Sequence, residues 1–188
     1  SLMGTSMATP HVGGAAALII QALESQGQSW SYTEKEALNV KKILLMTAME
    51  TNQNGEASNN PTLDRGDKDL VEGFGRINVD AAIESIIFAH TIGASEQAAL
   101  GKGPLLKNVW ARKVPLGAGN LYEFNLTVPS GADFDLYLYN SSPDAIGNPV
   151  ILNKSVSAAA GGNERITFAP SFTGNYSLIV KAVSGSGV

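Results

Sequence analysis

The hydrophobic period of this chain changes once, near residue 105, and that change limits it to helices first and sheet afterwards. In Tyr122-Glu123-Phe124-Asn125-Leu126-Thr127-Val128 apolar and polar residues alternate strictly. Phe134, Leu136 and Leu138 alternate with Asp135, Tyr137 and Tyr139. Period two is the mark of half-buried antiparallel strands. Further strands are expected over Val109 to Val114, Val150 to Leu152, Arg165 to Phe168 and Tyr176 to Val180. Turn signals such as Gly117-Ala118-Gly119-Asn120, Pro129-Ser130-Gly131, Ser142-Pro143-Asp144 and Thr173-Gly174-Asn175 separate them. Short strands at this spacing imply a β-sandwich over 107–184.

Before the change, the spacing is helical. A helix is expected from Ser6 to about Glu24. It is apolar nearly all round (Val12, Ala15 to Ile20, Ala22, Leu23), so it needs cover on several sides. Thr33-Glu34-Lys35-Glu36 is a capping box that opens a second helix, running to about Met49. A polar loop from Glu50 to Leu70 comes next. Gly73-Phe74-Gly75 then leads into a third helix, capped by Asn78 and running to about Ala89.

The chemistry concentrates at the start of the first helix, in Gly4-Thr5-Ser6-Met7-Ala8-Thr9-Pro10-His11-Val12. Thr5 and Ser6 suit a helix entry, and Pro10 suits a first turn. The small run Gly13-Gly14-Ala15-Ala16-Ala17 lets the helix pack closely against its neighbours. A serine at a helix start lies beside unpaired backbone N–H groups that can hold a developing oxyanion. At these residues the chain resembles the subtilisin-like serine proteases, whose serine signature reads Gly-Thr-Ser-Met-Ala-x-Pro-His-Val. Met3 stands where that family commonly has another serine. The resemblance continues through Thr47-Ala48 and Gly73 to Ala82, and so spans roughly residues 1–90.

The resemblance implies that Ser6 is the nucleophile and that its backbone N–H helps form the oxyanion hole, with Gly4, Thr5, Met7, Ala8, Pro10 and His11 as supporting motif positions. The family's order of aspartate, histidine, then serine places the other two triad members, and an asparagine oxyanion donor, upstream of Ser1. Ser1 is therefore expected to be a truncation or processing point. Neither histidine of the chain fits the role of base. His11 belongs to the serine signature, and His90 lies just past the last helix, where it is expected to be a solvated helix-end residue. A serine hydroxyl without a positioned base is a poor nucleophile, so the chain alone is expected to be inactive.

Composition narrows the partners. With a net charge of −4 the chain offers no electrostatic footprint for nucleic acid, and its longest apolar run, Ala15 to Ile20, is too short to span a membrane. Zero cysteines exclude disulfides and thiolate metal sites. Catalysis of this type requires no cofactor. Structural calcium has weak candidates in Asp64, Asp67 and Asp69 of the polar loop and in Asp133 and Asp135 of a strand, but their spacing is not that of an EF-hand, and a solvated acidic loop is the preferred reading. Asp135, Tyr137 and Tyr139 suggest a substrate or sugar platform, although strand aromatics more often pack on a neighbour. Asn125, Asn140, Asn153 and Asn175 all stand in Asn-x-Ser/Thr sequons, which supports an extracellular or cell-surface location.

The expected architecture is α/β followed by all-β. Residues 1–90 form the C-terminal helical part of a subtilisin-like three-layer fold, with most of its parallel sheet upstream; 91–106 form a linker, 107–184 an antiparallel, jelly-roll-like sandwich and 185–188 a tail. Asp133 to Tyr139 and Gly174 to Val180 resemble segments of pre-peptidase C-terminal domains. The sandwich is expected to fold independently and the first ninety residues to be unstable alone. The expected function is the C-terminal part of a secreted serine endopeptidase. Its partners are a protein or peptide substrate and the N-terminal part of the catalytic domain. The alternative is a non-catalytic sandwich, binding or stabilising, joined to a relic protease segment.

Overall fold

The computed structural model describes residues 4–49, 68, 72–103, 105–156 and 160–188, and shows helices followed by antiparallel sheets. Helix α1 spans Thr5–Ser25, α2 Glu34–Met46 and α3 Val79–Ile87. The two caps expected from sequence form. Thr33 accepts from the Glu36 N–H while the Glu36 carboxylate accepts from the Thr33 N–H, and Asn78 accepts from the Ala81 N–H. Both later helices end earlier than expected. Met49 leaves α2 to pair with Arg76, and Ala89 leaves α3 to bridge Lys113. Pro10 lies in the second turn of α1, not the first.

Strands β2 (Val109–Leu116), β4 (Asp133–Tyr139), β5 (Ile151–Ser155) and β7 (Gly174–Ser184) form one antiparallel sheet in the order β2-β7-β4-β5. Strands β3 (Tyr122–Leu126) and β6 (Glu164–Phe168) form a second, two-stranded layer. Trp110, Leu116, Phe124, Phe134, Leu138 and Ile166 fill the space between the layers. The residues expected as linker and tail meet: β1 (Leu100–Gly101) pairs antiparallel with β8 (Ser186–Gly187), and Leu100 is buried.

The outer face of the larger sheet is closed by the helices. Ile19 of α1, Ile43 and Met46 of α2, and Ala82 and Ile86 of α3 share one buried cluster with Val109, Ala111, Tyr137, Tyr139 and Ile179 of the sheet. The sheet is therefore an inner layer with apolar matter on both sides. For that reason every residue of β4 is buried, where its alternation predicts one wet face. The sandwich has its own core between its two layers, as expected, and its larger sheet also shares an outer core with α1, α2 and α3. Tyr137 and Tyr139 are fully buried, so they pack against a neighbour and offer no platform.

Two lysines fasten α2 to the loop after β4. Lys41 Nζ donates to the Ile146 carbonyl and Lys42 Nζ to the Ser141 carbonyl, each at 2.6 Å. Gly147, at φ +88°, lets that loop press on the helix, because a Cβ there would lie 2.9 Å from the side chains of Leu38 and Lys41. Lys42 is only 5% exposed, and burial pulls its ammonium down to about 8.

Candidate active site at the start of helix α1

Gly4 enters α1 at φ +130°, a conformation few other residues adopt, and its carbonyl takes the first helical hydrogen bonds from Met7 N–H at 2.9 Å and Ala8 N–H at 3.3 Å. The amides of Thr5 and Ser6 precede the first intrahelical acceptor, as at any helix start. No side chain caps them. Ser6 thus sits in the first turn, exposed, at the positive end of a 21-residue helix dipole. This is a suitable place for an alkoxide or oxyanion to form.

The other motif residues support the turn and add no catalytic partner. Thr9 Oγ1 donates to the Thr5 carbonyl at 2.9 Å. Proline at position 10 removes the N–H that would bond the Ser6 carbonyl. His11 Nδ1 donates to the Met7 carbonyl at 2.7 Å, which fixes the ring along its own helix. Five residues at about 100° each put His11 roughly 140° around the helix from Ser6, on another face. Gly4, Thr5, Met7, Ala8, Pro10 and His11 are all exposed, as is the whole of Gly4 to Gly14. Met7, Val12 and Leu18 remain 39%, 43% and 46% exposed on the same helix. The structure thus covers one face of the apolar helix, chiefly through Ala15, Ile19, Ala22 and Leu23, and leaves the others without a partner among the described residues.

His90 is not the solvated residue expected. Its side chain is only 14% exposed, with Nδ1 2.7 Å from Glu96 Oε1 and its ring edge-on to Trp110. It belongs to a polar chain that sequence reading missed, joining α3 to the sheet. Glu84 bonds Lys107 through Oε1 and lies 3.4 Å from Arg112 through Oε2, while Arg112 Nε lies 2.9 Å from Glu96 Oε2. The Arg112 guanidinium stacks over Trp110 and Phe88. Partial burial opposes ionisation of Glu96, yet the hydrogen bonds from His90 and Arg112 prevail and hold its carboxyl below the usual range. The signal was faint: these charges are far apart in sequence and become partners only when α3 docks on β2. Among the described residues, no hydrogen bond joins the Ser6 side chain to a histidine or a carboxylate.

Of the calcium candidates, Asp64, Asp67 and Asp69 lie outside the described residues. Asp133 and Asp135 are buried in β4, where Asp135 Oδ2 accepts from the Tyr137 hydroxyl at 2.9 Å. Among the described residues no three His, Asp or Glu gather as a metal site would require. No helix of the described residues is long and apolar enough to cross a membrane.

Residues 1–75, less than half of the chain, match the model of the Subtilase family (Peptidase_S8). The match takes in α1, α2 and the Met49–Arg76 approach as far as Gly75, and stops before α3 and the strands. A search of curated proteins found no match.

Proposed function

We propose that this chain carries the nucleophile of an exported subtilisin-like serine endopeptidase. Ser6 attacks the scissile carbonyl, its own backbone N–H helps hold the oxyanion, and a histidine and an aspartate upstream of this sequence supply and orient the base. The substrate class is peptide or protein. The observation that carries the reading is the placement of Ser6: the nine-residue motif Gly4 to Val12 sits exposed at a helix N-terminus inside the segment that matches the subtilase family. Export is supported by the sequons, two of which, Asn125 and Asn175, are exposed on strands. The sandwich resembles a pre-peptidase C-terminal appendage, and we assign it a supporting role beside the catalytic part.

The first test is to read the coding sequence upstream of the Ser1 codon in the same frame. Aspartate and histidine motifs there support the enzyme; a stop or a start codon immediately upstream leaves a non-catalytic sandwich on a relic segment and overturns it. The second is labelling with a fluorophosphonate. The isolated 188-residue chain is expected to stay unlabelled, and the product carrying the upstream motifs to be labelled in the wild type but not in Ser6→Ala. Strong labelling of the isolated chain would sink the assignment of the base.

A further inference from the structure

A cavity of about 780 Å3 opens between the two layers of the sandwich, away from Ser6 and its motif. Its floor is the inner face of the larger sheet, with Trp110, Phe134, Leu136, Leu178 and Val180. One wall is the stretch 121–127, all seven residues of which line the cavity. A strand viewed from its face would contribute only every second residue, so the cavity runs along the edge of β3. That edge is unpaired: β3 bonds β6 on one side, and among the described residues no strand pairs with the other. The facing wall, 92–98, begins in a turn closed by the Ala94 N–H on the Thr91 carbonyl at 3.0 Å, and lies outside any strand.

An unpaired edge presents a row of backbone N–H and C=O groups, and the ligand that satisfies such a row is another extended backbone. The size agrees. Seven residues at about 3.4 Å rise, a strand spacing of about 4.8 Å and a layer separation of about 10 Å define a slab on the order of 1000 Å3, close to the volume found. The apolar floor would receive the inward side chains of an alternating strand. The rim carries Glu96 and Glu123, and no lysine or arginine lines the cavity, although Arg112 and Arg165 bond these carboxylates from outside the lining. Each carboxylate is already paired, Glu96 with His90 of the lining and with Arg112, and Glu123 with Arg165, so the rim sets no charge requirement on a guest.

We propose that the sandwich binds an extended peptide by strand addition to the free edge of β3. The peptide alternates apolar residues, directed to the Trp110–Leu136–Leu178 floor, with polar ones. The proposal stands independently of Ser6 and its chemistry.

The test uses the intact chain and the synthetic peptide acetyl-Lys-Val-Thr-Val-Thr-Val-Lys-amide, followed by titration calorimetry and amide hydrogen exchange. Saturable binding with new protection confined largely to 121–127 is expected. Two analogues, N-methylated on alternate residues along one edge or the other, should separate: one loses at least tenfold in affinity and the other retains most of it, since only one edge of the guest bonds β3. No binding of the parent peptide, equal loss from both methylated analogues, or binding without protection of 121–127 would each overturn the proposal.

Discussion

Lys42 offers a quantitative test of how α2 is docked. Its ammonium is buried between α2 and the Ser141 carbonyl, and burial pulls it from 10.5 down to about 8. With the folded value depressed, the neutral amine is favoured by folding. The associated stability is fully present above the unfolded value and is lost as pH falls through the folded one. At neutral pH both states are charged and the gain is absent; between pH 8 and 10.5 the unfolded chain binds more protons and stability rises. At about 1.4 kcal/mol per unit, the wild type should gain about 2 to 3 kcal/mol from this group between pH 7 and pH 10. Lys42→Met keeps the stem and removes the titration. Other groups cancel when the two proteins are compared by urea unfolding at several pH values, monitored by far-ultraviolet circular dichroism. The difference in unfolding free energy should shift toward the wild type by that amount across the window. A flat difference would refute the claim that this ammonium is desolvated in the folded chain, and with it the tight seating of α2 on the 140–148 loop.

Ile179→Ala, at a fully buried position facing the helices, should cost about 2–5 kcal/mol. Helix and sheet signals should still melt together, and separate transitions would contradict the shared core. Gly185→Ala should destabilise by about 1–3 kcal/mol in a thermal melt, since the residue sits at φ +67° and the added Cβ would lie 2.3 Å from the Gly131 carbonyl oxygen. Tyr137→Phe removes the hydroxyl bonded to Asp135 while keeping the ring stacked on Tyr139, and should cost about 1–2 kcal/mol in denaturant unfolding. No loss would mean that other partners of Asp135 suffice.

Local signals were read well because local physics produces them. The caps at Thr33 and Asn78 depend on residues three apart, and the strand alternation depends on neighbours two apart. Features set by contacts distant in sequence escaped. Alternation in β4 shows that its faces differ and says nothing of what covers each, so the packing of Tyr137 and Tyr139 on a neighbour was legible and the helices as that neighbour were not. Nothing in the sequence near Lys42 marks it as buried, because the loop that covers it lies about a hundred residues further on. Strands β1 and β8, of two residues each, are too short to carry a period. The candidate site divides in the same way. Its serine motif is contiguous and was read directly, whereas the Glu84–Arg112–Glu96–His90 chain exists only because α3 docks on β2.

The burial of Tyr137, Tyr139 and Ile179 beneath the helices also bears on how such a sandwich could be moved between proteins. Cut off near residue 107 and grafted elsewhere, it would display those residues as an open apolar panel, an invitation to self-association. A transplantable cassette from this chain would carry α1, α2 and α3 as its lid. A new host would otherwise need to supply a helical surface of matching shape.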